Sequence, residues 1–236
     1  PIVCLHQTAS SSAMFEAFAD AYGGPEPIYA LDTPGFGGSF EPEGQPPMSG
    51  YADDLAAAIE SFSPGPVHLF GHHTGASIGV EIATRHPDLA ASFSMIGPVV
   101  TEAAEREFFS TIYPKDFTPV EDGSHLDRMW DYVAELGGSG DLALRHREMV
   151  DTARAWQSHI RVYTKIWDQD FTALYEKVRC PMLIMCSPQD VLWTLFERAK
   201  QIRPDAVAVE IPGTNFQTDE APREVAAALR DFISAL

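Results

Sequence analysis

The sequence predicts an α/β fold: a mostly parallel sheet of about six strands, with helices on both faces and a helical cap insertion. Three observations carry this expectation. Six short apolar runs, at residues 2–5, 27–31, 67–70, 92–96, 182–186 and 206–211, each have the length of a buried strand. Amphipathic stretches of helical spacing lie between most of them, and that alternation implies βαβ units joined by right-handed crossovers. The alternation then breaks over residues 98–178, where helical patterns continue without a convincing strand.

Taken in order, residues 2–5 (Ile-Val-Cys-Leu) open the chain as a strand. Ser10, Ser11 and Ser12 turn the chain and cap a helix over 13–22. The strand 27–31 runs into Asp32-Thr33-Pro34-Gly35-Phe36-Gly37-Gly38-Ser39, a glycine-rich loop that Asp32 anchors. A helix over 51–62 and a strand over 67–70 lead to Gly71-His72-His73-Thr74-Gly75, and a helix over 74–86 follows. After the strand 92–96 the helical insertion begins, punctuated by Gly137-Gly138-Ser139-Gly140. Within it Trp156, Ile160, Tyr163 and Trp167 recur at helical spacing. Such a stripe packs a cap helix against its neighbours, or turns some of its rings into a pocket; Trp156, Tyr163 and Trp167 are the candidates for contact with a small molecule. The strand 182–186, helix 195–202, strand 206–211 and helix 221–236 complete the pattern. The organisation is thus 1–97 as the first part of the core, 98–178 as the cap and 179–236 as the second part of the core.

Composition narrows the function classes. Hydrophobic residues make up 45% and charged residues 21%, the profile of a globular protein. Acidic residues outnumber basic ones 34 to 16, and a net charge of −18 disfavours nucleic acid and anionic membrane surfaces as partners. No apolar run has the length of a membrane span. The first residues lack a basic segment and a cleavage site, so no secretory signal is expected. Cys4, Cys180 and Cys186 sit in or beside apolar runs and read as free thiols of a reducing, cytoplasmic compartment. No glycine-rich dinucleotide motif follows the first strand, so no cofactor is expected. The oligomeric state is not readable.

The segment Gly71-His72-His73-Thr74-Gly75 has the form G-x-nucleophile-x-G, a sharp turn from strand to helix that projects its central side chain. With this motif the chain resembles the α/β-hydrolase superfamily over nearly its whole length. His6-Gln7 stands where that family has His-Gly at its oxyanion loop, and the loop from Asp32 to Ser39 looks like its D-x-P-G-x-G-x-S segment. Ser187-Pro188-Gln189-Asp190 ends a strand where the family places its acid. Ile211-Pro212-Gly213-Thr214-Asn215-Phe216 follows the last strand, where the family places its histidine, and Pro98 introduces the cap. The first strand corresponds to the family's third, so a leading β-hairpin is absent from this sequence or lies outside it.

The departures shape the expected chemistry. The family's elbow residue is Ser, Cys or Asp, and here it is His73. Asn215 stands within a residue of the family's histidine, and Gln7 replaces a glycine beside the oxyanion. An amide is no base near neutral pH, so a serine acyl-enzyme route through this site is disfavoured. An imidazole reaches farther than a serine hydroxyl, and His73 is expected to enter the space of the missing ring. There it would act as general base or acid, oriented by Asp190, with Asn215 holding ring or substrate and Gln7 beside it. Backbone N–H groups of Thr8 and Thr74 would form the oxyanion hole. The expected function is an enzyme on a small, largely apolar carbonyl compound, by hydrolase or lyase chemistry. The alternative is a catalytically degenerate ligand-binding protein on the same fold. His6 and His72 are expected to support the structure. No metal site is expected, because adjacent His72 and His73 should point apart along an extended chain.

Overall fold

The computed structural model describes residues 1–236 as a six-stranded, wholly parallel sheet of order β2-β1-β3-β4-β5-β6. Along the chain come β1 (Ile2–Leu5), α1 (Glu16–Tyr22), β2 (Ile28–Leu31), α2 (Met48–Phe62), β3 (Val67–His72), α3 (Thr74–Arg85) and β4 (Ala90–Ile96). Five helices follow: α4 (Ala103–Ile112), α5 (Ser124–Val133), α6 (Leu142–Arg154), α7 (Trp156–Ile166) and α8 (Phe171–Tyr175). The sheet resumes with β5 (Met182–Cys186), α9 (Trp193–Ile202), β6 (Val207–Glu210), α10 (Gln217–Glu220) and α11 (Pro222–Ser234).

Side-chain alternation along the buried strands explains the two layers. Ile2, Cys4, Phe70, Leu183 and Met185 face one way and pack with Phe15, Phe18, Val225 and Leu229 around α1 and α11. Val3, Leu5, Leu69, Met95 and Ile184 face the other way, into the larger core with Tyr51, Ile59, Ile78, Ile82 and Phe196. Trp167, Phe171 and Tyr175, from the stretch between β4 and β5, join that second core.

Several boundaries differ from expectation, each for a local reason. The helix expected over 13–22 starts as a single 3₁₀ turn, Ser12–Phe15, with Ser11 accepting from the Ala13 N–H as its cap. The strand expected over 67–70 runs on to His72, because Gly71 and His72 remain paired with Met95 and Ile96 of β4. The final helix, expected over 221–236, runs from Pro222 to Ser234, and a short helix that was not expected, α10, precedes it and ends at its cap Ala221. No helix is long and apolar enough to cross a membrane.

The chain goes from β1 to β2 on one side and then crosses to β3 on the other. That reversal places a crevice at the carboxyl ends of β1 and β3, where open α/β sheets receive ligands. Leu5 pairs with Gly71, so residues 6–8 lie beside residues 72–74 at that end.

Candidate active site

The apex of the turn between β3 and α3 is His73, with φ 46° and ψ −103°. It is the sole non-glycine residue of the chain with positive φ. Such a conformation costs on the order of 1–3 kcal/mol and persists where the surroundings enforce it. The enforcement is visible. The His73 N–H donates to Ile96 O (2.9 Å), and the His73 carbonyl accepts the Ser77 N–H at the start of α3. A Cβ on Gly75 would overlap the Leu5 carbonyl of β1, so only glycine lets helix and strand approach this closely. Gly97, just past β4, serves the ring itself: at φ +67° it leaves open a space that any Cβ would take from the His73 imidazole.

That imidazole reaches across the crevice to the loop after β5. His73 Nε2 lies 2.8 Å from Asp190 Oδ2. Asp190 is 5% exposed and accepts two further bonds, from the Leu192 N–H to Oδ1 (2.7 Å) and from Gln217 Nε2 to Oδ2 (2.6 Å). Burial by itself pushes this carboxyl upward, but the charge and hydrogen bond of His73 and the other donors outweigh it and hold its pKa below the usual value. The ionised carboxylate only accepts, so His73 Nε2 carries the proton of this bond.

The other expected site residues divide. Tyr163 and Trp167 line the cavity over His73, together with Thr74, Val99, Tyr113, Ile166, Val191 and Leu192. Trp156 does not line it; it packs beside Phe117, Met129 and Tyr132, because α7 turns that end of its stripe into a separate cap cluster. Asn215 holds neither ring nor cavity: its Oδ1 accepts the Val191 N–H (3.0 Å) and braces the Asp190 loop. Gln7 also stays out of the cavity wall, and its carbonyl is engaged by His6 Nδ1 (2.8 Å) and the Ser10 N–H. Thr8 and Thr74 do come together, but the Thr8 N–H points at the Thr74 hydroxyl (3.3 Å), so a substrate oxygen must displace that contact to use it. Thr74 opens α3, and its own N–H is among the donors a helix leaves unpaired at its start.

His6 supports loops, as expected: Nδ1 bonds to Gln7 O and Nε2 accepts the Thr33 N–H (3.0 Å). Burial lowers its pKa and keeps it neutral. Asp32 likewise anchors its loop, accepting from the N–H groups of Ser12 and Gly38 (both 2.7 Å). The expectation that His72 and His73 point apart is overturned. Their ring centroids are 4.7 Å apart, because the positive φ of His73 breaks the extended alternation. Two participants escaped the sequence reading. Gln217 stands two residues past the position of the missing histidine, where only the fold shows that it reaches Asp190. Gly97 carries a signal of its own, a glycine directly after a buried strand, but nothing ties it to His73 until the ring is placed.

The cavity is small and apolar. Its volume is about 40 Å³, little more than one water's share of liquid, and no lysine or arginine lines it. Tyr113 stacks on Trp167 (5.5 Å) and on Tyr163 (6.3 Å) to form its roof. A larger open groove of about 490 Å³, bounded by Glu60, Pro64, Arg85 and Asp88, contains none of these residues.

A parallel sheet with a strained strand-to-helix apex, an acid on the loop after β5 and a roof of helices defines the α/β-hydrolase class, and the chain belongs to the alpha/beta hydrolase family, which it matches over residues 2–228. It is similar to the 2-(acetamidomethylene)succinate hydrolase of Mesorhizobium japonicum, at 29% identity covering 98% of this chain and 86% of the relative. It is also similar to the fluoroacetate dehalogenase of a Burkholderia species, at 22% identity covering 99% and 86%. Among solved structures, a thermophilic esterase from Thermogutta terrifontis superposes with a TM-score of 0.83 at 18% identity, covering all of this chain and 89% of the esterase.

Proposed function

We propose that this protein is a hydrolase of a small, neutral, largely apolar carbonyl compound, in which His73 is the general base and Asp190 orients it. The observation that carries the reading is the His73–Asp190 contact at the apex beneath an apolar roof. The family membership and the hydrolase relatives support the reaction class. Both named relatives act on carboxylic acids or their derivatives. The cavity wall here holds no cation to pair with a carboxylate, which favours an uncharged substrate.

In this reading a water on His73 Nδ1 loses a proton to the ring as its oxygen attacks the carbonyl carbon. The Asp190 carboxylate stabilises the imidazolium that forms. The developing oxyanion takes the Thr74 N–H at the start of α3, and the Thr8 N–H once the Thr74 hydroxyl gives way. Collapse breaks the bond to the leaving group, which takes the proton back from His73. No ester to the enzyme forms.

A panel of esters, enol lactones and β-diketones, each a small neutral carbonyl compound, tests this. The wild type should turn over at least one member, and His73→Ala should lower that rate by about 10²–10⁴-fold, the usual contribution of a positioned base. A fluorophosphonate probe should label no serine stoichiometrically. Unchanged turnover in His73→Ala, or a stoichiometrically labelled serine, overturns the assignment.

A further inference from the structure

The hydrolytic reading leaves His72 unused. Its side chain is fully buried, and neither ring nitrogen makes a hydrogen bond of ordinary geometry, although the Gln217 amide lies beside the ring. Unpaired polar groups of this kind cost on the order of 1–3 kcal/mol each. Beside it, a ring nitrogen of His73 and a carboxylate oxygen of Asp190 complete a set of three donor atoms, all within 4.8 Å of one another.

We propose that His72, His73 and Asp190 form a binding site for one divalent transition-metal ion of the zinc type. Three features argue for this class. Two imidazoles and one carboxylate are the borderline donors that zinc and its neighbours prefer, whereas magnesium and calcium take oxygen ligands. Tetrahedral zinc with bonds of about 2.1 Å holds its donors roughly 3.4 Å apart, so the observed spacing closes with small ring rotations. Three protein donors leave the fourth position of a tetrahedral ion to water or ligand, and of the three only His73 borders the cavity. The site is built by the apex: an ordinary extended residue at 73 would turn its ring away from His72. Its consequence for turnover rests on the reading of His73 as base. Metal on either ring nitrogen removes the free lone pair, so metal loading silences that chemistry.

The test is direct titration of the full-length, chelator-stripped protein with Co²⁺ and then Zn²⁺, without substrate. The expected result is one Co²⁺ per chain with the visible bands of a four-coordinate ion, displaced by Zn²⁺ and not by Mg²⁺. His72→Phe should weaken binding by more than about a hundredfold, beyond the range for residues outside the coordination shell. Asp190→Asn serves as an independent second variant, and circular dichroism verifies that each variant is folded. Absence of stoichiometric Co²⁺ uptake by the wild type, or uptake unchanged in folded His72→Phe, overturns the site. Because this readout needs no turnover, its failure is separate from failure of the base assignment, which His73→Ala decides.

Discussion

At the scale of single residues, the candidate site turns on one carboxylate. Asp190 accepts from His73, Gln217 and the Leu192 N–H, and its pKa is held below the ordinary value. The unfolded chain therefore binds a proton there at a higher pH than the folded protein does. This contribution to stability is full above the normal aspartate range of about pH 3.9 and is lost as pH falls through the lower folded value. In urea unfolding followed against pH, the wild-type midpoint should drop on the acid side, and Asp190→Asn should show a flatter acid limb. His73 and Asp190 were legible in the sequence because the elbow motif and the strand-end acid are local patterns. Gln217, Gly97 and the true partner of Asn215 were not, since each depends on a loop more than twenty residues away in the chain.

At the scale of elements, α6 bridges the insertion and the core through buried charge. Ser10 Oγ donates to Glu148 Oε2 (2.5 Å), and Ser11 Oγ donates to Asp151 Oδ2 (2.7 Å), so α6 sits on the loop that follows β1. Arg147 meets Asp219 of α10 with two bonds of 2.7 Å and also pairs with Glu148. Burial raises the Glu148 pKa, against the pull of Arg147 and the Ser10 hydroxyl. Removing the cation leaves a nearly buried carboxylate without a counter-charge, so Arg147→Ala should cost on the order of 3 kcal/mol in urea unfolding. Adding Glu148→Gln should restore part of that loss, because the amide still accepts from Ser10 and carries no charge. The serines of this loop were read from sequence as turn formers and a cap. Ser11 does cap the Ala13 N–H, but the link to α6 crosses some 140 residues and leaves no local trace.

At the scale of the whole molecule, the roof and the sheet differ in how firmly they are held. α3 buries ten of its twelve residues, whereas α4 buries none. A cavity of about 40 Å³ admits no substrate of several heavy atoms, so binding requires the roof formed by Tyr113, Tyr163 and Trp167 to move. Local opening follows low burial, and amide hydrogen exchange should therefore be far faster in α4 than in β3 and α3 under native conditions. A substrate that fills the cavity should slow exchange around Tyr113 and Tyr163 and leave the sheet unchanged.

The sequence by itself determined the layered sheet and the position of its elbow. Strand-length apolar runs, helical periodicity and a glycine-bracketed turn are all set by neighbours a few residues apart. The tertiary structure alone decided what the elbow histidine touches, which aromatic rings of α7 face the cavity, and that His72 lies against His73. The first and last depend on a backbone angle forbidden to most residues, and the placement of the rings depends on how the helices between β4 and β5 pack over strand ends that the parallel sheet brings together.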